Sequence, residues 1–377
     1  MERRKEADWM YLIVLLIMLS PLMYALPTCA QTVTFSAVGD VFFGRGGKEF
    51  GTEDPFRYVK DEFLGRDIVL GNLETPIAAT RNRITTPPCT LKKHRKNSCK
   101  TDEERRYRRL YFLTFQARIS AARLLKEGGF TVVSTANNHA EDQGGEGIRE
   151  TLVHLAPQSV SKVGSGKSRE EAWAPYIFEK DGVSVGIIAA TTILNFTPVE
   201  GLGFVAHGTV KQLADSLPRR IAALKTKVDF VVVTLHYGAE SERQPSPRER
   251  NLIRVLAAAG TDLFIGTHPH VLRGIEIIGK TVVFWSLGNF LFDAPRADWR
   301  DSAIVHVDFV KNKTETNLKN IRLVPVTLSG DPSRLPQPAS PEKAAQIISD
   351  VKRFSRVFQN PKKSVEFSND IIRVNLP

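Results

Sequence analysis

From Val33 onward, short β-branched and aliphatic runs recur along the chain: VTFSAV (33–38), DIVLG (67–71), TVVSTA (131–136), VSVGIIAAT (183–191), DFVVVTLH (229–236), DLFIGT (262–267) and TVVFWSL (281–287). Each has the length and composition of a buried strand. Between them, apolar residues spaced three and four apart predict helices over Phe115–Glu127, Val210–Lys225 and Pro247–Ala259. Strands alternating with helices imply βαβ units in a layered α/β domain. Residues 302–326 alternate more strictly (AIVHVDFV, then IRLVPV) and predict an antiparallel addition. Pro332–Ser340 reads as a proline-rich loop and Pro341–Phe354 as a terminal helix. The simplest parse is one domain over residues 33–360, large enough to hold two sheets, followed by a tail at 361–377.

The N-terminal pattern differs. Residues Trp9 to Leu26 are almost wholly apolar and follow Arg3, Arg4 and Lys5, while Thr28-Cys29-Ala30 resembles a small-residue cleavage site. Residues 1–30 are therefore expected to act as a signal peptide or a signal anchor. Pro21 breaks the run late and favours cleavage, whereas its length is close to that of a bilayer span. Either form implies an exported protein, in the periplasm, at the cell surface or secreted. In that setting Cys89 and Cys99 read as a disulfide or as two free thiols. A metal clip between them, with His94, lacks a fourth ligand.

Composition changes the picture at one place. The formal charge is +11 over 377 residues, but residues 81–110 alone carry eleven Lys/Arg against three Asp/Glu. The rest of the chain is close to neutral, so the basicity belongs to an insertion and not to the fold. Such a segment attracts an anionic polymer. It has few aromatics for base stacking, and no nucleic acid is expected as a partner. A solvated segment with no partner remains equally open.

The residues that close each strand carry the candidate chemistry. Gly39-Asp40, Asn72-Leu73-Glu74, Asn137-Asn138-His139, His236-Tyr237-Gly238 and Thr267-His268-Pro269-His270 all stand at such ends. Ligands of α/β sheets gather at the carboxyl ends of strands, where loops carry polar groups without burying them unpaired. Singly, Asp40 reads equally as a helix cap and the asparagines as turn residues. Together, five strand ends bring carboxylates, carboxamides and four of the eight histidines. Oxygen and imidazole donors without thiolate suit one or two divalent ions of Mn, Fe or Zn.

The motifs GDVFFGR (39–45), NLETPI (72–77), ANNHAEDQGGEG (136–147), HYG (236–238), GTHPHVLRGIE (266–276) and SLGNFLFD (286–293) resemble, in order, those of the CapA family of poly-γ-glutamate capsule synthesis proteins. That family is similar in fold to the calcineurin-like metallophosphoesterases. The resemblance implies a four-layer αββα sandwich. It also implies metal ligands at Asp40, Glu74, Asn138, His236, His268 and His270. It casts His139 as the histidine that protonates a leaving group or steadies a transferring phosphoryl oxygen, with Asp142 orienting its ring. Arg45, Arg273 and Asn289 match positions near the site, as substrate-binding or loop-shaping residues. Two departures accompany it: the metallophosphoesterase Asp-x-His is here Asp40-Val41-Phe42, and the second acid is Glu74 where Asp is usual.

VGSGKSRE (163–170) invites comparison with a phosphate-binding loop, but that motif requires glycine where Ser161 stands. The expectation is an exported protein acting on an anionic envelope polymer of the poly-γ-glutamate type through a metal-dependent hydrolase or transferase site. Membrane-bound capsule synthesis proteins are the implied partners. The alternatives are a non-catalytic polymer-binding or export scaffold and a general secreted phosphoesterase.

Overall fold

Strands that are apolar on both faces need cover on both sides, and here two sheets cover each other inside two outer layers. The computed structural model describes residues 30–44, 54–79, 114–196, 203–313, 315–329, 335–358, 364–367 and 372–375. Residues 1–29 of the expected leader, together with Arg45, Cys89, His94, Cys99 and the basic insertion, lie outside the described residues. From Gln31 the chain forms one compact unit. Among the described residues no helix is long and apolar enough to cross a membrane.

The first half of the unit contains β1 (Gln31–Val41), β2 (Ile68–Leu73), α1 (Ser120–Glu127), β3 (Val132–Ser134), α2 (Gly144–Leu155) and β4 (Ser161–Val163). Next come β5 (Ser165–Gly166), α3 (Arg169–Ala172), β6 (Tyr176–Lys180), β7 (Val183–Thr191), β8 (Phe204–Val205), α4 (Val210–Lys225) and β9 (Phe230–His236). They are followed by α5 (Pro247–Ala258), β10 (Leu263–Thr267), β11 (Ile275–Ile278), β12 (Thr281–Phe284), β13 (Asn289–Leu291), β14 (Asp301–Lys311) and β15 (Thr316–Ser329). The last elements are β16 (Leu335–Pro338), α6 (Pro341–Ser355), β17 (Ser364–Phe367) and β18 (Ile372–Asn375).

The larger sheet runs β17-β18-β15-β14-β1-β2-β3-β4, with β13 beside β1 and β16 beside β15. The smaller runs β11-β12-β10-β9-β7-β6. Strands β1 to β4 are parallel, as are β7, β9, β10 and β12, so in each sheet a set of carboxyl ends opens on one edge. Between the sheets pack Val33, Phe35 and Ala37 of β1 with Val185, Ile187, Val232 and Ile265 of the smaller sheet. Outside it, Leu213, Leu217 and Ile221 of α4 and Leu252 and Leu256 of α5 cover Val231, Val233 and Phe264. Outside the larger sheet, Ala121 and Leu125 of α1 pack with Phe130 and Val69. This is the four-layer αββα sandwich implied by the resemblance.

Helix starts follow local chemistry. Thr209 with Gln212, and Ser246 with Glu249, form reciprocal capping boxes at α4 and α5. The predicted helix at Phe115–Glu127 begins only at Ser120, because the preceding backbone is otherwise engaged. Ala117 N–H donates to the Pro76 carbonyl, and the Phe115 N–H and C=O bond the side chains of Asp142 and Gln143. Residues 301–329 form the expected antiparallel pair β14–β15. The predicted loop at 332–340 is corrected: Leu335–Pro338 is a strand on β15, an edge position where proline's missing N–H is tolerated. The expected tail contributes β17 and β18, which extend the larger sheet from β15.

Candidate metal centre

The end of β1 is irregular, and that irregularity builds the site. Its pairing with β2 shifts register between Ala37 and Asp40, which re-aims the residues beyond it. Gly39 is required there: a Cβ would overlap the Gly288 carbonyl, whose oxygen accepts the Asp40 N–H at 3.0 Å. Asp40 is thereby held fully buried beside Glu74, which follows β2. From the smaller sheet, β9 ends in His236, and the turn after β10 carries His268 and His270. Both turn histidines have positive φ, 94° and 60°. For non-glycine residues this costs about 1–3 kcal/mol each and marks a conformation imposed by the surroundings.

Five of the six predicted ligands meet. Glu74, His268 and His270 form one group, and Asp40, Glu74 and His236 form another, each with donor atoms within 4.8 Å of one another. Glu74 belongs to both. Asn138, the sixth, places its Oδ1 2.8 Å from His236 Nε2 at the edge of the cluster.

Electrostatics make the cluster unstable by itself. Among the described residues, neither oxygen of Glu74 has a hydrogen-bond partner, nor does His268 Nδ1, although all are buried. Burial, together with the neighbouring Asp40, Glu240 and Asp142, pushes the Glu74 carboxyl well above the usual carboxylate range. Burial and the adjacent imidazoles hold His236 and His268 well below the ordinary histidine value. Burial opposes charge on His270 too, but its contact with Asp40 at 3.4 Å pushes it up. Crowded carboxylates, neutral imidazoles and orphaned acceptors fit a divalent cation, which would satisfy them together. Asp40, Glu74, His236, His268 and His270 would hold it, with Asn138 in reach.

Beside the cluster, His139 Nε2 lies 4.0 Å from Glu74 Oε1. Its Nδ1 is 2.6 Å from Asp142 Oδ2, which also accepts the Phe115 N–H. Burial raises the Asp142 carboxyl, with His139 and the Phe115 amide pulling it back. The Phe115 ring stacks on His139 at 3.8 Å between centroids and 17° between planes, fixing the plane of the imidazole. Phe42, where metallophosphoesterases carry an imidazole, packs instead on Phe115 and Phe292. On the far wall, Trp299 and Phe292 lie against His270.

Two predicted substrate-binding residues are corrected. Asn289 is fully buried, and its Oδ1 accepts from His270 Nδ1 at 2.8 Å while its Nδ2 donates to the Trp299 carbonyl. It orients a ligand from behind and has no face for a substrate. Arg273 is buried, donating to the Glu242 carbonyl at 2.8 Å and lying 3.4 Å from Glu249. It braces the turn after Tyr237-Gly238. Arg45 lies outside the described residues.

Sequence reading did not assign three residues that the structure places here. Asn72 Nδ2 donates to Asp40 Oδ1 at 2.8 Å. Asn137 donates to Asn72 Oδ1 and accepts the His139 N–H. Asn195, beyond β7, reaches both Asn138 and His139. The first two stood inside quoted motifs, adjacent to the chosen residues; Asn195 belonged to none.

The family model described as "Bacterial capsule synthesis protein PGA_cap" matches residues 34–294. The PGA biosynthesis protein CapA of Bacillus subtilis (strain 168) is 35% identical over 292 residues, covering 75% of this chain and 70% of that protein. The capsule biosynthesis protein CapA of Bacillus anthracis is 30% identical over 323 residues, covering 81% of this chain and 72% of that protein. Among solved structures, the sulfate thiohydrolase SoxB of Thermus thermophilus aligns at 12% identity with a TM-score of 0.39, over 78% of this chain and 43% of that one. The chain belongs to the PGA_cap family of bacterial capsule synthesis proteins.

Proposed function

We propose that this protein works in poly-γ-glutamate capsule synthesis as an exported, metal-dependent hydrolase or transferase that cuts or transfers the polymer at an amide or ester bond. Family membership supports the pathway, and the basic leader pattern of residues 1–30 supports export. Action alongside membrane-bound capsule synthesis proteins is part of the same proposal.

One observation carries the chemistry: Glu74 is shared by two buried three-residue donor groups, and the His139–Asp142 pair stands 4.0 Å away. A divalent Mn, Fe or Zn ion, singly or as a pair, supplies Lewis-acid polarisation of the scissile bond when bound. The chain's own residues do the rest. Asp142 and Phe115 hold the imidazole with one proton shared between Nδ1 and Oδ2, leaving Nε2 facing the cluster. When the ring also carries a proton on Nε2, that proton passes to the departing nitrogen or oxygen and leaves the imidazole neutral, a step worth about 10²- to 10⁴-fold in rate. The aromatic wall of Phe42, Phe115, Phe292 and Trp299 limits water around that transfer.

The test is reconstitution of the purified protein with Mn, Fe or Zn and assay on poly-γ-glutamate and on an aryl phosphodiester. Turnover that His139→Ala lowers without loss of metal supports the proposal. A second reading, a polymer-binding scaffold without turnover, is favoured by Phe42, which removes an imidazole from the ligand set. Metal-loaded protein that binds the polymer and turns over neither substrate favours that scaffold. Turnover of the aryl phosphodiester alone favours a general phosphoesterase.

A further inference from the structure

A chain of side-chain hydrogen bonds leads out of the cluster, and its carboxamides give it a direction. Asp40 Oδ1 accepts from Asn72 Nδ2 at 2.8 Å, and Asn72 Oδ1 accepts from Asn137 Nδ2, so the Asn72 carboxamide has one orientation. Its Nδ2 also lies 3.2 Å from His236 Nδ1. In the metal-free chain that nitrogen, which also lies 3.2 Å from Thr267 Oγ1, accepts from Asn72, and Nε2 carries the hydrogen 2.8 Å from Asn138 Oδ1. With its oxygen committed, Asn138 turns Nδ2 outward to Asn195 Oδ1 at 3.2 Å. A cation on Asn138 Oδ1 leaves this polarity unchanged, because a cation, like an N–H, faces the carbonyl oxygen.

The last carboxamide in the chain has its oxygen engaged by Asn138 and its NH₂ turned to the imidazole of His139. Asn195 Nδ2 is 3.4 Å from His139 Nδ1, a nitrogen that already shares its proton with Asp142. His236, Asn138 and His139 are all buried, whereas Asn195 is half-buried, so the relay meets solvent at this residue. The NH₂ has two hydrogens and His139 Nδ1, at 3.4 Å, can take at most one, so at least one N–H stands beside the imidazole without an acceptor among the described residues.

We propose that Asn195 is a substrate-contacting residue whose carboxamide NH₂ donates to an anionic oxygen of the bound substrate beside His139. This rests on the metal-dependent reading given under Proposed function and adds the donor that would hold the oxygen on which charge develops. The relay explains why a carboxamide is needed: its oxygen must accept from Asn138 while its nitrogen donates outward. Aspartate satisfies the first requirement and reverses the second.

The experiment uses inorganic phosphate as an oxyanion probe on Mn-loaded protein, with titration calorimetry for affinity and elemental analysis for metal. Asn195→Ala should weaken phosphate binding about 10- to 100-fold, the range of one hydrogen bond to a charged group. Asn195→Asp should weaken it further, and both variants should keep the wild-type metal content. Unchanged phosphate affinity in Asn195→Ala overturns the proposal, as does metal-loaded wild type that binds no phosphate. Loss of metal from Asn195→Ala also overturns it, by making Asn195 a support for Asn138 alone. Wild type that takes up no metal sinks the metal-dependent reading and this one together, whereas an Asn195-indifferent phosphate affinity on a metal-loaded protein sinks only this one.

Discussion

Replacing Glu74 by Gln should raise the stability of the metal-free protein while destroying its response to metal. Glu74 is fully buried, and both its oxygens lack donors among the described residues. A buried polar group left unsatisfied costs about 1–3 kcal/mol, and more when charged. The Glu74→Gln exchange removes the charge and turns an NH₂ towards the Asp40 carboxylate that now repels it. Metal-free Glu74→Gln should therefore be more stable than wild type by about 1–3 kcal/mol near neutral pH. The pH dependence has a definite sign. A carboxyl raised in the folded state contributes stability that is present below its unfolded value of about 4.3 and lost as pH rises through its folded value. The advantage of Gln should thus widen from pH 5 to pH 8. Adding a metal at one hundred times its dissociation constant stabilises wild type by about 2.7 kcal/mol, or roughly 4 °C in Tm for a folded unit of this size. Because Glu74 belongs to both donor groups, the variant should shift by less than about 2 °C under the same conditions. Thermal unfolding in chelator and in excess Mn measures both effects. Equal metal-induced shifts in the two proteins, or a variant that is less stable in chelator, would refute the reasoning.

The remaining predictions concern groups around the centre. Asp142→Asn should lower turnover about 10²- to 10⁴-fold, and combining it with His139→Ala should add little, because the two act as one unit; steady-state kinetics of the single and double variants checks this. Asn289→Ala should weaken metal binding about 10- to 100-fold by releasing the His270 ring, as read by competition with a metallochromic chelator. Glu141, buried next to Asp142, has its carboxyl pushed up to about 7. Its contribution to stability is present below the unfolded value near 4.3 and lost as pH rises through about 7. Urea unfolding at pH 5 and pH 8 should show a loss about 3 kcal/mol larger in wild type than in Glu141→Gln.

Legibility in the sequence tracked the physics of each element. Strands buried on both faces, such as FVVVTLH, announce themselves by composition, and a capping box begins each of the two long helices over the smaller sheet. The residues at the strand ends were readable because sheet topology alone gathers Asp40, Glu74, His236, His268 and His270 on one edge. The Phe115 segment was misread as helix because its apolar spacing is helical, while tertiary hydrogen bonds from Asp142 and Gln143 hold it extended. Leu335–Pro338 escaped notice because two prolines in four residues exclude a central strand but not an edge. Arg273 and Asn289 are placed near the site by motif position alone, which does not show that both are buried and brace their surroundings. Asn195 carries no local signal; only the direction of bonds crossing four other residues singles it out.

The central claim is that these side chains form a cation site. Anomalous diffraction from crystals of the full chain reconstituted with Mn, Fe or Zn tests it most directly. The account predicts a peak bonded to Glu74 and completed by His268 and His270, by Asp40 and His236, or by both sets. A reconstituted crystal with no peak at Glu74, or with its metal bound elsewhere, would contradict it.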